Sequence, residues 1–160
     1  MNHRTVLRVR YGETDKAGVA WHGSYVAWYE VGRCEFLRDS GISYAAFESE
    51  QKLFLTVVGM DLRFMKPARS DDVLVVETAV TVLDRASARF SQRIFHQGAT
   101  EPASSAVVRV ACVDLNGRVA ALPPVLRAAL ARVLQGPSAT ETQGKSQRAP
   151  VVAADGQSVP

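Results

Sequence analysis

Apolar and polar residues alternate near the amino terminus and then change to a helical period. Residues 5–11 alternate, with Leu7, Val9 and Tyr11 on one face and arginines on the other, which predicts a half-buried strand. From 25 to 40 the apolar positions recur at α-helical spacing, with Ser24 as the predicted N-cap and Gly41 as the residue after the helix. The predicted buried side of this helix comprises Tyr25, Trp28, Tyr29, Gly32, Phe36 and Leu37.

From residue 55 onward the pattern is typical of β-strands, bounded by turn residues. Residues 104–115 are apolar on both faces, which predicts a central or interfacial strand, and Pro123-Pro124 begins a short helix. One strand, one long helix and four further strands indicate an α+β domain. The side chains predicted to face inward are Val58, Met60, Leu62 and Phe64; then Leu74, Val76, Val80 and Val82; then Ala86, Ala88, Phe90 and Ile94; and, in the last helix, Val125, Leu126, Leu130 and Val133.

Composition places these elements in one domain. Residues 1–135 form the predicted domain, and residues 136–160, polar and without aromatic side chains, a predicted disordered tail. A net charge of +3 without a basic, aromatic stripe argues against a nucleic-acid partner. There is no apolar run for a signal peptide or membrane span, and Cys34 and Cys112 have no metal or redox spacing. We therefore expect a soluble cytoplasmic protein.

The candidate chemistry lies in the loop before the predicted helix. Asp15 and Gly18 come shortly before it, so a carboxylate lies near N–H groups that have no intrahelical partner. Those groups and the helix dipole can stabilise the oxyanion formed when a polarised carbonyl is attacked. Asp15 would act as nucleophile or as general base. Alternatively, Asp15 only caps a turn, as Asp often does before Gly.

This loop resembles the active-site loop of the 4-hydroxybenzoyl-CoA thioesterase family. The resemblance covers roughly residues 4–134 and rests on Asp15, Gly18 and the pair Trp21-His22. It implies a hot-dog fold, an antiparallel sheet wrapped around one long central helix, in an enzyme that hydrolyses acyl-CoA to free acid and CoA. The chain departs from the family pattern in carrying Glu13 where the first acid is usually Asp.

The same resemblance assigns roles to residues. Asp15 carries the catalysis and the backbone N–H of His22 polarises the thioester carbonyl, while Gly18, Val19, Trp21 and Tyr25 contact the substrate. It also implies a homodimer or homotetramer with active sites at the subunit interface. No metal or cofactor is expected, since coenzyme A is part of the substrate.

The CoA phosphates need basic contacts, and Arg63, Lys66 and Arg69 cluster around the end of a predicted strand. Solvation of an exposed strand would explain the same cluster. His3 and His96 have no evident partner.

Rival acids and nucleophiles are weaker candidates. Some hot-dog thioesterases use a helix carboxylate, but Glu30 and Glu35 are expected to pair at the surface with Arg33 and Arg38. Cys34 has no basic neighbour to activate it.

Two other functions compete with the thioesterase. Hot-dog enoyl-CoA hydratases have Asp and His five apart, whereas Asp15 and His22 are seven apart. A non-catalytic acyl-CoA-binding module would lack the acid. An acyl carrier protein thioester stays open as an alternative substrate.

Overall fold

The computed structural model describes residues 2–132 and residue 134, and the predicted tail lies outside them. Three helices and five strands form in this part of the chain. The strands are β1 (His3–Arg8), β2 (Leu53–Phe64), β3 (Val73–Leu83), β4 (Ser87–His96) and β5 (Ser104–Asp114), and the helices are α1 (His22–Asp39), α2 (Tyr44–Gln51) and α3 (Pro124–Ala131). The predicted α+β class is confirmed.

The five strands form one antiparallel sheet in the order β1-β3-β4-β5-β2. The first strand therefore joins the later ones at one edge, and β2 forms the other edge. Residues 57–59 of β2 and 80–82 of β3 contain irregularities of register. Since a one-residue shift exchanges the two faces of a strand, these bulges decide which side chains face inward.

Helix α1 lies across the inner face of this sheet and supplies the centre of the core. Its predicted apolar side is buried as expected, and Tyr29 is completely buried with its hydroxyl donating to Ser104 Oγ at 2.8 Å. Burial raises the pKa of Tyr29, so the hydroxyl stays protonated. A Cβ on Gly32 would lie 2.6 Å from Val76 Cγ1, so only glycine lets the helix approach β3 this closely.

The ends of the first elements differ from prediction. Strand β1 stops at Arg8, and Tyr11 is 87% exposed in a short 3₁₀ turn, Tyr11–Glu13. Ser24 is not the N-cap: Trp21 holds that position, and the buried Ser24 hydroxyl donates to the Glu13 carbonyl at 2.9 Å. At the other end Gly41 follows the helix as predicted, and its N–H donates to the Arg38 carbonyl at 2.9 Å.

Three predicted core positions are wrong. Val58 falls within the β2 bulge and is 59% exposed. Phe64 faces inward as predicted, opposite the buried Ser104, but at the end of the strand it stays 52% exposed. Val82 follows the β3 bulge and lies opposite Arg89, on the outer face. Val125 is 71% exposed although Leu126 and Leu130 of the same helix are buried as expected. Val133 lies outside the described residues.

Several polar residues have partners that were not predicted. Arg33 does not pair with Glu30 at the surface; it is 9% exposed, and Nη1 donates to Gln92 Oε1 at 2.9 Å. Burial lowers the pKa of this guanidinium. His3 Nε2 lies 2.8 Å from Asp39 Oδ2. The predicted pair of Glu35 and Arg38 is present.

Helix α2 was not predicted, because its sequence carries no clear apolar repeat. It is held against the sheet by Tyr44, whose hydroxyl donates to the Leu55 carbonyl at 3.2 Å. None of the helices in residues 2–132 is long and apolar enough to cross a bilayer.

Candidate active site

The loop between β1 and α1 is a closed turn that orients Asp15. Thr14 and Ala20 pair across its base, and the Asp15 N–H donates to the Val19 carbonyl at 2.9 Å. Gly18 has φ +74°, a conformation that favours glycine, and its N–H donates back to the Asp15 carbonyl at 2.9 Å. These backbone hydrogen bonds fix the position of Asp15 and the direction of its Cα–Cβ bond.

The two oxygens of the Asp15 carboxylate have different surroundings. Oδ1 accepts the Ala17 N–H at 2.8 Å, so the turn-capping interpretation is correct for this oxygen. No group in the described part of the chain donates to Oδ2, and the side chain lies at the exposed surface of the loop. One oxygen therefore orients the carboxylate while the other is free for chemistry.

The start of α1 is held beside this loop by Glu13. The Glu13 carbonyl accepts the Trp21 N–H at 3.1 Å as well as the Ser24 hydroxyl. The helix begins at His22, and the N-cap Trp21 makes no side-chain capping bond. The first N–H groups of the helix are thus available to an outside acceptor.

The Glu13 carboxylate is itself anchored. Its oxygens accept the Arg10 N–H at 2.8 Å and the Arg10 guanidinium at 2.7 Å. Burial raises the pKa of Glu13, but the hydrogen bonds from Arg10 and Trp28 together with the charge of Arg10 hold it below its ordinary value. The Trp28 indole N–H is buried and, within the described residues, has no hydrogen bond of good geometry, although it lies near this carboxylate. Glu13 therefore connects the loop to Arg10 through its carboxylate and to the start of α1 through its carbonyl.

A cavity of about 320 Å³ opens beside the helix start. Tyr25 forms part of its wall, and its ring packs edge-on against Phe64 with centroids 5.0 Å apart. Burial raises the pKa of the Tyr25 hydroxyl, which accepts the Ala68 N–H at 3.1 Å. The lining residues are Val19, Ala20, His22, Tyr25, Phe64, Met65, Lys66 and Pro67.

The turn at residues 67–72, here called the brace, joins the loop to the sheet. The Ala20 N–H donates to the Ala68 carbonyl at 2.8 Å, and Arg69 Nη1 donates to the Gly18 carbonyl at 3.3 Å. Within the brace, the Arg69 N–H donates to Asp72 Oδ2 at 2.7 Å. His96 of β4 contacts it from the side, with Nδ1 3.5 Å from Asp72 Oδ2 and Nε2 3.1 Å from the Pro67 carbonyl. His96 therefore has partners, contrary to prediction.

The residues predicted as sites fall into two groups. Val19, His22, Tyr25 and Lys66 line the cavity, whereas Asp15 and Gly18 belong to the adjoining loop. Trp21 is 47% exposed, and its ring packs edge-on against that of His22, with centroids 5.2 Å apart.

The three basic residues predicted to bind the CoA phosphates lie in three different places. Lys66 lines the cavity, Arg63 lies on the outer face of β2, and the Arg69 guanidinium is bonded to Gly18. Lys66 is therefore the best placed of the three.

Sequence reasoning missed Phe64 and Met65 as cavity walls and the brace as a support. Phe64 looked like an inward strand residue, and nothing in the sequence shows that Ala68 meets Ala20. The spacing of Arg69 and Asp72 was the available signal, because an Asp that caps its own turn is a common local pattern.

The cysteines carry no site: burial raises the pKa of both Cys34 and Cys112, which disfavours the thiolate.

Comparison with known proteins identifies the family. Residues 9–130 match the model of the thioesterase-like superfamily. The acyl-CoA thioester hydrolase YbgC of Escherichia coli is 40% identical over 121 residues, which cover 75% of this chain and 89% of that protein. The acyl-CoA thioesterase YbgC of Haemophilus influenzae is 36% identical over 124 residues, covering 77% and 90%.

Solved structures agree with the sequence comparison. A probable thioesterase from Bartonella henselae is 33% identical, with a TM-score of 0.68 over 76% of this chain and 98% of that one. The DHNA-CoA thioesterase of Staphylococcus aureus is 27% identical, with a TM-score of 0.77 over 82% and 90%. These neighbours and the sheet that packs on one long helix confirm the predicted hot-dog fold.

Proposed function

The chain belongs to the thioesterase-like superfamily and is a thioester hydrolase, and we propose that it cleaves acyl-CoA with Asp15 as the catalytic carboxylate. The observation that carries the proposal is the asymmetry of that carboxylate. Oδ1 is bonded to the Ala17 N–H, and Oδ2 is free on a loop fastened to an uncapped helix start. A carboxylate oriented in this way can act on a carbonyl carbon next to the helix.

In the general-base route Asp15 removes a proton from water as the water oxygen attacks the thioester carbon. The carbonyl oxygen becomes an oxyanion, which the N–H of His22 and the helix dipole stabilise, an effect of about 10²–10³ in rate for one such donor. Collapse of the intermediate breaks the C–S bond, and the protonated Asp15 gives its proton to the departing thiolate. The products are the free acid and CoA.

In the nucleophilic route Asp15 Oδ2 attacks the same carbon and expels the thiolate, which leaves an acyl anhydride on the enzyme. Water then hydrolyses the anhydride, releases the acid and regenerates the carboxylate. Both routes use the same donor at the helix start. They differ in single-turnover experiments, where only the nucleophilic route allows thiol to appear before free acid.

The cavity suits the rest of such a substrate. Its walls are mostly apolar, with Val19, Phe64 and Met65 available to the acyl group. Gly18 and Trp21 are next to the lining residues Val19, Ala20 and His22 in the chain, and we assign them to the loop side of the substrate. Lys66 lies at the same cavity and supplies a positive charge for a CoA phosphate. Neither route consumes a metal ion or redox cofactor, and activity is expected to survive dialysis against EDTA.

A second copy of the chain would complete this site. Strand β2 forms an edge of the sheet, and Val57, Val58 and Phe64 expose 47%, 59% and 52% of their surfaces along it. Apolar strand edges of this kind are ordinarily covered. Pairing at β2 would bring the partner next to Phe64 and Met65, at the open side of the cavity. We therefore extend the proposal to a homo-oligomer that contains this dimer.

The test is thiol release from acetyl-, hexanoyl-, palmitoyl- and benzoyl-CoA by the wild type and by Asp15→Asn. The substitution keeps the shape and removes the basicity, so kcat is expected to fall at least about a hundredfold. CoA binding is expected to survive. A loss below threefold would contradict the role of Asp15 and redirect attention to Glu30 or Glu35. Wild-type inactivity on every CoA ester would reject acyl-CoA as the substrate, and an acyl carrier protein thioester would be assayed next.

A further inference from the structure

The outer face of the sheet, which is the side turned away from α1, has an unbalanced positive charge. Side chains alternate between the two faces of a strand, so the pairing register shows which ones point outward. Outward positions hold six arginines, namely Arg4, Arg8, Arg63, Arg89, Arg93 and Arg109. Only two carboxylates in the described strands, Asp61 and Glu77, share that face. The face thus has four positive charges in excess, whereas the whole chain has a formal net charge of only +3.

Four of these arginines have no ion pair in the described part of the chain, and three of the four have no hydrogen bond from the side chain either. Glu77 is occupied by Arg93 at 2.9 Å and by Arg4 at 3.5 Å, and Arg8 donates to the Asp71 carbonyl. Arg63, Arg89 and Arg109 make no such contact. The unpaired charge is therefore concentrated on β2, β4 and β5.

Arg89 and Arg109 are direct cross-strand neighbours. Like charges in this position repel and destabilise a sheet. On the far side of Arg109 lies Gly59, where a Cβ would come within 2.4 Å of Arg109 Nη2. The Arg109 guanidinium therefore extends over Gly59 of β2, and the neighbouring strands β4 and β5 each carry a cation that has no counter-ion in the described part of the chain. An anionic group placed over them would supply that counter-ion.

Charge complementarity decides among the possible occupants. A second copy docked face to face would oppose two surfaces of the same net sign, which disfavours self-association here. Nucleic acid usually adds stacking on exposed aromatic rings, but Phe95, near the end of β4, is 8% exposed, with the Arg93 guanidinium 5.4 Å from the centre of its ring. A planar guanidinium fork is suited to carboxylates as bidentate partners.

The spacing of the strands favours an acidic helix over an irregular acidic segment. Neighbouring strands lie about 4.8 Å apart. Carboxylates three and four residues apart on one side of a helix are about 4.5–6 Å apart along its axis. A helix lying across the strands can therefore offer neighbouring carboxylates to Arg89 and Arg109.

We propose that the outer face is a docking surface for an acidic α-helix of a partner protein, with Arg89 and Arg109 at its centre. The site lies on the opposite side of the sheet from α1 and its catalytic loop. Binding there is independent of the proposed hydrolysis.

The probe is a capped, alanine-based helical peptide of about 20 residues, with glutamates at alternating three- and four-residue spacing. Its affinity for the full-length protein is measured by fluorescence anisotropy at low salt. The double variant Arg89→Glu/Arg109→Glu is expected to weaken binding at least tenfold and to leave thioester hydrolysis unchanged. Arg118→Glu/Arg132→Glu is the control, because it makes the same change in net charge at exposed arginines outside the face, and it should alter the affinity less than twofold.

Three results would overturn the proposal. One is a wild-type Kd above about 1 mM. Another is an equal loss of peptide affinity in the control variant, which would show that the overall charge of the protein causes the binding. The third is equal binding of a glutamine version of the peptide, or stronger binding of phosphatidylglycerol vesicles, which would indicate a lipid surface. Should the charge-reversed variant fail to fold, Arg89→Gln/Arg109→Gln repeats the test, and relief of repulsion predicts that it melts no lower than the wild type.

Discussion

Arg69 Nη1 donates a hydrogen bond to the carbonyl oxygen of Gly18 at 3.3 Å. A residue of the brace, which lies between β2 and β3, thereby holds the turn that carries Asp15. The same side chain was a candidate for CoA phosphate binding, and the two roles predict different kinetics. A residue that positions the loop affects the chemical step, whereas a phosphate contact affects the affinity for CoA.

We expect Arg69→Ala to lower kcat about tenfold with little change in KM, because a loose loop misplaces the Asp15 carboxylate. Lys66→Ala is the matched comparison and should raise KM for acyl-CoA with kcat nearly unchanged. Both are measured with acyl-CoA and with the acyl-pantetheine thioester, which has no phosphate. If Arg69→Ala raised KM for acyl-CoA alone, the phosphate role would be correct and the positioning role wrong.

Glu13 predicts a pH-dependent contribution to stability. Its folded pKa lies below the ordinary value, so the deprotonated form is favoured in the folded protein. The resulting stability is complete above the unfolded pKa of about 4.3 and is lost as the pH falls through the lower, folded pKa. Glu13→Gln should therefore lower Tm at pH 7 and have a smaller effect at pH 3. Thermal melts of both proteins across this range provide the measurement, and an equal shift at both pH values would contradict the prediction.

Periodicity predicted the fold well where the spacing of apolar residues alone determines which side of an element is buried. The buried side of α1 follows directly from the spacing of Tyr25, Trp28, Tyr29 and Phe36, and tertiary packing agrees with it. The bulges at residues 57–59 and 80–82 are different. Gly59 was a local signal for the first, since a glycine inside a strand often marks a bulge, whereas no residue in 80–82 announces the second. Val58 and Val82 were assigned to the wrong face because neither bulge was predicted.

The candidate site could be predicted in part. Asp15, Gly18 and the helix start at His22 lie close together in the chain, so a loop pattern was enough to find them. Contacts between distant segments were not visible, such as those that Ala68 makes with Ala20 and Tyr25. Arg33 illustrates the same difficulty, since its position in α1 suggested a surface ion pair while the sheet offered Gln92 as a buried acceptor.

The packing of α1 against β3 gives a sharp test of the fold. Gly32→Ala would place a methyl group 2.6 Å from Val76 Cγ1, and overpacking of this kind costs about 1–3 kcal/mol. Gly12→Ala is the control, because a Cβ there meets no atom within 4 Å. Chemical denaturation of the two variants measures the difference. Equal stability of Gly32→Ala and the wild type would show that α1 can move away from the sheet without cost.

The exposed edge of β2 tests whether the site depends on a second subunit. Val58→Glu would place a charge in the proposed interface, and we expect sedimentation velocity to show a shift from dimer or larger to monomer. Val125→Glu is the control, because Val125 is also exposed, at 71%, but lies on α3 away from that edge.

The two variants should also differ in activity. If the partner closes the cavity, the monomeric Val58→Glu protein loses thioester hydrolysis while Val125→Glu keeps it. A folded, monomeric Val58→Glu protein with wild-type kcat would mean that Asp15 and the start of α1 act within one chain, and the subunit interface would then have no part in catalysis.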